Sequence, residues 1–283
     1  MSTSWFPGLV LVACFVAFFD GCGSSEPTVT LAADERFQKA KALFDEEEYL
    51  EAINEFTIVT LQFQGSEYAD DAQFYLGECR FRRGEYLLAA YEYSTLKRNW
   101  PASALIPEAQ YKLALSYYML SPKPSLDQQY TIRAIDEFQT FVEYYPSNEH
   151  AVEAEEKIKE LTVRLAKKQY DNAVIYQQME AYKSALAYYD DVIERFHDTE
   201  YALLAYLGKA DVLMERKKYE EARLVVNAFL EKFPNSVLRS RAEELKRKID
   251  ARIQSVPPVT GGGSGQRERR AGEESASSRT GQQ

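Results

Sequence analysis

The chain has 283 residues, of which 45% are hydrophobic, 13% aromatic and 28% charged, ample apolar material for an extended helical core. Its formal net charge of -10 repels phosphate backbones and argues against nucleic acid as a partner. Two isolated histidines, His150 and His197, and three scattered cysteines give no metal-ligand spacing, no catalytic base with its company and no disulfide framework.

The N-terminus opens with an apolar run from Trp5 to Phe19. That is short of the ~20 residues a spanning helix needs and suits the core of a secretory signal. Phe19-Asp20-Gly21-Cys22-Gly23-Ser24-Ser25-Glu26-Pro27 follows. This stretch resembles a bacterial lipoprotein signal, a small residue before a cysteine and then a polar tether. The resemblance implies residues 1–21 as signal peptide, Cys22 as the lipidated (palmitate-type) residue and 22–32 as tether. Leu11-Val12-Ala13-Cys14 is the alternative, with Cys14 lipidated. Gly23 rather than Asp after Cys22 is compatible, by the same resemblance, with sorting to the outer membrane.

From residue 33 one pattern is written five times. Tyr49-Leu50-Glu51-Ala52, Tyr86-Leu87-Leu88-Ala89, Tyr182-Lys183-Ser184-Ala185 and Tyr219-Glu220-Glu221-Ala222 share Y-x-x-A, and Thr131-Ile132-Arg133-Ala134 lacks only the Tyr. Four residues past each Ala stand Phe56, Tyr93, Phe138, Tyr189 and Val226; three further, Val59, Leu96, Phe141, Val192 and Phe229; four further, Phe63, Trp100, Tyr145, Phe196 and Phe233. Steps of four, three and four keep one helix face apolar. Pro101, Pro146 and Pro234 then stop the helix. Ser66, Ser103, Asn148, Thr199 and Ser236 suit the next N-cap, and six residues beyond each is a small residue, Ala72, Ala109, Ala154, Ala205 and Ala242, where two helices can approach closely.

The unit is therefore helix A, tight turn, helix B, turn, with a period of about 37 residues. It resembles the tetratricopeptide (TPR) family over roughly 33–253, which implies an all-α solenoid of about five helix pairs plus a C-terminal capping helix over 236–253. The family's early glycine in helix A is present as Gly77 and replaced by Ala40, Ala114, Ala173 and Ala210. In the third copy Ser121-Pro122-Lys123-Pro124-Ser125 inserts a loop. In the fourth, extra residues without Pro or Gly predict one helix from Glu149 to Gln178, roughly 45 Å long at 1.5 Å per residue. That helix divides the array into 33–148, three repeats, and 149–253, a pair with its cap. Residues 254–283, rich in Gly, Ser, Arg and Gln, lack the apolar periodicity to offset the entropy of ordering.

Helix A of the first three copies carries an aromatic pair seven residues apart: Phe37 and Phe44, Phe74 and Phe81, Tyr111 and Tyr118. In the TPR family that face lines the concave groove, which makes these rings a candidate peptide-binding stripe; inter-repeat core is the other reading. Lys41, Arg82 and Lys112 are placed to take a carboxylate at the rim, or are solvated surface charges. Cys79, among apolar neighbours, reads as an inert thiol, and Glu46-Glu47-Glu48 and Asp190-Asp191 as solvated charge runs. No catalytic or cofactor motif appears, so no enzyme and no cofactor is expected.

Arg164-Leu165-Ala166-Lys167-Lys168-Gln169-Tyr170-Asp171-Asn172-Ala173-Val174-Ile175-Tyr176, the following Ala181-Tyr182-Lys183-Ser184-Ala185, and the turns Tyr145-Pro146-Ser147 and Phe233-Pro234-Asn235-Ser236 resemble the BamD family of β-barrel assembly lipoproteins. The resemblance implies a non-catalytic subunit at the periplasmic face of the outer membrane, held there by its lipid. The C-terminal repeats would meet a BamA-like barrel subunit and other subunits of the assembly complex. The first three repeats would receive C-terminal segments of unfolded outer-membrane proteins. A periplasmic TPR adaptor for cell-wall synthesis or division is the alternative, although such adaptors usually carry an N-terminal coiled coil that this chain lacks.

Overall fold

In a computed structural model the described residues are 32–255. Cys14, Cys22, the signal peptide, all of the tether but residue 32, and the tail from residue 256 lie outside them. Among the described residues there are eleven α-helices and no strand. Five pairs run in chain order: α1 (Ala33–Asp45) with α2 (Tyr49–Gln62), α3 (Ala69–Arg82) with α4 (Tyr86–Asn99), α5 (Ile106–Leu120) with α6 (Gln129–Tyr144), α7 (Ala151–Gln178) with α8 (Tyr182–Arg195), and α9 (Glu200–Glu215) with α10 (Tyr219–Lys232). The last helix, α11 (Arg239–Ser255), closes the stack. Each helix packs mainly on its chain neighbours, and α7 also touches α9.

The core follows the repeat. The alanines of the Y-x-x-A motif and those of helix A named above are fully buried, as are Phe56, Tyr93, Phe138 and Val226, with Tyr189 nearly so. Small residues at both faces let the helices approach until a large side chain from helix B fills the space between them. Two glycines mark such approaches: a Cβ at Gly77 would lie 2.4 Å from the Tyr93 ring, and one at Gly208 2.5 Å from that of Tyr189.

Four of the five A–B turns share one construction. Glu47, Gly84, Glu180 and Lys217 have positive φ, 57 to 74°. In each, the residue after it donates its N–H back to a carbonyl five residues earlier, as in Glu48 to Leu43 and Glu85 to Arg80. This is the left-handed C-terminal cap that satisfies the last helix carbonyls. Only the second copy uses glycine there. The third copy has no such cap, because its inserted loop intervenes.

The N-cap expectation needs correcting. Thr199 does precede α9, but its hydroxyl donates to Phe196 O instead of capping. Ser66, Ser103, Asn148 and Ser236 sit three residues before their helices begin. Ser103, Asn148 and Ser236 accept the N–H two residues on, at 2.9 to 3.1 Å. The Ser66 hydroxyl is buried without a partner. These residues build a turn between units, and the helix starts one turn later than side-chain chemistry alone suggests.

Helix α7 is 28 residues long, about 42 Å. Its first half, through Leu161, belongs to a core shared with α5 and α6. Its last part, from Ala173, belongs to a core shared with α8 and α9. Between Leu161 and Ala173 only Ala166 is buried. α11 seats Ala242, Leu245 and Ile249 on the core containing Val226 and Phe229, covering an apolar face that a repeat array would otherwise leave open.

Candidate peptide-binding face

The six aromatic residues of the stripe separate into two groups. Phe37, Phe74 and Tyr111 are buried within the core clusters of their repeats. Phe37 stacks on Tyr68 at 5.2 Å and meets Phe56, and Tyr111 packs on Phe138 and Phe141. Phe44, Phe81 and Tyr118, one heptad further along each helix A, are half-buried. A seven-residue step slips by about 20° around an α-helix, and that slip moves the second ring toward the rim.

Each half-buried ring lies near a lysine ammonium. Lys41 sits 5.0 Å from the Phe44 ring centre and 4.1 Å from that of Tyr75. Lys112 is 5.6 Å from Phe81, and Lys157 is 4.4 Å from Tyr118. In the last two rungs the cation comes from helix A of the following repeat. The result is a ladder of aromatic rings and ammonium groups running from α1 to α7, each pair within cation–π range.

The ladder's charges are held differently. Lys41 pairs with Asp45 at 3.2 Å; burial works against its charge, but the Tyr75 hydroxyl and Asp45 outweigh that and raise its pKa. Lys112 reaches the buried Glu78 at 2.9 Å, and Glu78 also accepts from the Tyr93 hydroxyl at 2.5 Å. The hydrogen bond from Tyr118 to Glu160, 2.8 Å, raises the phenol's pKa, with burial adding to it. Arg82 is exposed and makes no ion pair among the described residues. Cys79 is buried, and burial pushes its thiol up to about 12.

Two features here escape simple motif reading. His150, at the N-terminus of α7, stacks on Tyr111 at 4.2 Å with the planes 9° apart, and its ring nitrogens lie 3.7 and 3.8 Å from Glu108 and Glu153. The second feature is a clasp repeated in the first three copies. Arg36 donates to Glu55, Gln73 to the carboxylate and carbonyl of Glu92, and Gln110 to those of Glu137, all at 2.8 to 3.1 Å. The signal for it is a glutamate three residues past each Y-x-x-A alanine in copies one to three, replaced by Tyr188 and Val225 in copies four and five.

Among the described residues, no group of three or more His, Cys, Asp or Glu is placed to hold a metal ion, and no helix is long and apolar enough to cross a membrane. The fold and its ladder define a helix-pair repeat protein with a row of partly exposed rings along its A helices. Residues 30–223 match the family YfiO, outer membrane lipoprotein, and the chain belongs to that family. It is 25% identical over 227 residues to the outer membrane protein assembly factor BamD of Rickettsia prowazekii, covering 80% of this chain and 90% of that one. Against the BamD of Caulobacter vibrioides it is 25% identical over 219 residues, covering 76% and 71%. Among solved structures, the TPR2AB domain of yeast Sti1 in complex with pHSP90 covers 78% of this chain and 84% of its own, at 16% identity and a TM-score of 0.38.

Proposed function

We propose that this protein is a non-catalytic, lipid-anchored subunit of the machinery that assembles β-barrels into the outer membrane. Family membership and the two BamD relatives support the assignment. Cys22, or Cys14 in its place, carries the lipid and holds the array at the periplasmic face. The last two repeats dock on a BamA-like barrel subunit and other subunits of the complex. The first three receive an extended C-terminal segment of an unfolded barrel protein.

The single observation that carries the substrate role is the ladder of half-buried rings beside ammonium groups. A peptide ending in an aromatic residue offers a ring to pack on Phe44, Phe81 or Tyr118 and a carboxylate to Lys41, Lys112 or Arg82. Phe37, Phe74 and Tyr111 serve beneath, as the packing that sets the ladder's spacing. The mechanism is recognition and positioning. Affinity is modest, because ordering an extended chain costs free energy.

Two measurements test this. Purification from detergent-solubilised outer membrane brings the barrel subunit with the protein; recovery of a cell-wall synthase instead would support the adaptor reading. Peptides ending in Phe bind the full chain, and Phe44→Ala with Phe81→Ala weakens them several-fold. If those changes lower only the melting temperature and leave affinity intact, the rings are core and the groove assignment fails.

A further inference from the structure

The loop inserted in the third repeat and the extra length of α7 lie against each other. Arg164 Nη1 donates to Ser121 O at 3.1 Å, to Ser121 Oγ at 2.8 Å and to Pro122 O at 3.4 Å. One turn on, Lys168 Nζ donates to Leu126 O at 2.8 Å and Pro124 O at 3.4 Å. From the other side, buried Gln128 donates its amide to Lys123 O and Leu126 O, both at 3.0 Å. Thr131, fully buried, donates to Gln128 Oε1 at 2.7 Å and stands 2.6 Å from Ser121 Oγ. Thr131 is the one copy without the motif tyrosine. Here a small hydroxyl side chain closes the loop's hydrogen-bond network where the other copies carry a ring.

The position of these contacts matters. Arg164 and Lys168 lie in the stretch of α7 between the core shared with α5 and α6 and the core shared with α8 and α9. No residue from Ser121 to Asp127 joins a core cluster, and Leu126 is half exposed. The loop is therefore held to α7 by polar donors alone. Beside it, Gln128, Ile132, Leu165, Lys168, Arg195 and Phe196 line a cleft of about 490 Å³ between the start of α6 and the end of α8. Packing restrains each half of α7 on its own side of that cleft. Between them Ala166 is buried, Gln169 donates to Asp191 of α8 at 3.1 Å, and the loop braces another side through Arg164 and Lys168.

We propose that residues 121–128 form a polar strap that sets the angle between the first three repeats and the last two, and that releases it when the Arg164 and Lys168 bonds are broken. A segment tied to its neighbour by hydrogen bonds without apolar packing opens locally at a lower free energy than the packed cores on either side. Opening frees the middle of α7 to bend, and the cleft between α6 and α8 widens or closes. The strap is thus a two-state element between the groove and the docking end.

The test uses the full chain. Arg164→Ala with Lys168→Ala raises amide exchange of residues 121–132 at least about tenfold, leaves exchange in α1–α4 and α9–α10 unchanged, and shifts the small-angle scattering profile away from the wild type. Thr131→Tyr, which restores the motif residue and expels the loop from within, gives the same scattering change by an independent route. If the strap exchanges faster and the profiles superimpose, packing of α6 on α7 sets the angle and the proposal is overturned. A uniform rise in exchange across all eleven helices overturns it equally, because the donors would then be part of the global fold.

Discussion

The first three repeats and the last two use one backbone plan with different chemistry in the same register. Glu78 and Asp211 occupy equivalent positions, six past the helix A alanines Ala72 and Ala205. Glu78 is buried, takes the Tyr93 hydroxyl and the Lys112 ammonium, and ties α3, α4 and α5 together. Asp211 has its nearest cation, Arg241, 3.9 Å away; desolvation pushes its carboxyl up, against the pull of Arg241. The polar clasps thin out along the array: copies one to three have them, copy four keeps a shifted one from Gln169 to Asp191 at 3.1 Å, and in copy five Tyr206 takes the donor's place and packs on Phe229 and Phe233. A repeat fold therefore does not dictate how its units are held. Polar ties at defined rims leave aromatic rings partly free in the first group, whereas the last pair, covered by α11, is closed by apolar packing.

The sharpest way to break this comparison is to delete both carboxylates. Glu78→Ala leaves the Tyr93 hydroxyl and Lys112 without their acceptor and lowers stability by about 3 kcal/mol, whereas Asp211→Ala stays within about 0.5 kcal/mol of the wild type. Urea unfolding measures both; equal losses would mean the two halves are held alike. Gly77→Ala comes next. Alanine fills the equivalent position in four copies, yet here its Cβ meets a Tyr93 ring that is fully buried, so the substitution costs about 1–3 kcal/mol despite alanine's better helix propensity.

Acid sharpens the same contrast. At Glu55 burial opposes the charge, but bonds from Lys39 and Arg36 outweigh it and lower the pKa; at Glu85 the bond from Arg80, helped by Arg83, lowers it. A depressed carboxyl contributes stability that is present above its unfolded pKa and lost as pH falls through its folded one. Asp211, raised, has the opposite sign, and its cost disappears on acidification. Amide exchange, referenced to the unfolded chain and measured while pH is lowered through the carboxylate range, should show α2, which carries Glu55, losing protection before α9, which carries Asp211. The smallest effect lies in the turns. Glu47→Gly, Glu180→Gly and Lys217→Gly each relieve a left-handed residue and raise stability by up to about 1 kcal/mol, read as a rise in melting temperature. Gly84→Ala, at the glycine of copy two, lowers it.

The helix pairs were legible because their signal is periodic: apolar steps of four, three and four, alanines at fixed offsets and prolines after helix B fix element type and face. Helix α7 was predicted two residues early at its start, because Glu149 and His150 belong to the turn that Asn148 builds. The cap positions were misread for the same reason, since serine and asparagine also suit a turn one step before the helix. The stripe was legible as a pattern, but not its division into buried and half-buried rings, which depends on how far each helix has rotated by its second heptad. The ties of Glu78, the stacking of His150 on Tyr111 and the loop-to-α7 bonds were hidden because those partners lie 15 to 44 residues away in sequence and the pairings do not recur from copy to copy.

The contact between the third-repeat loop and α7 also bears on how such a chain can change length. Repeat arrays grow and shrink readily by whole units, because each unit touches only its neighbours. Here two irregular segments from adjacent units supply each other's hydrogen-bond partners. A chain that lost the loop would leave Arg164 and Lys168 without those carbonyls, and one with a shortened α7 would leave the loop's carbonyls facing open space. The two insertions should therefore be inherited or lost as a pair.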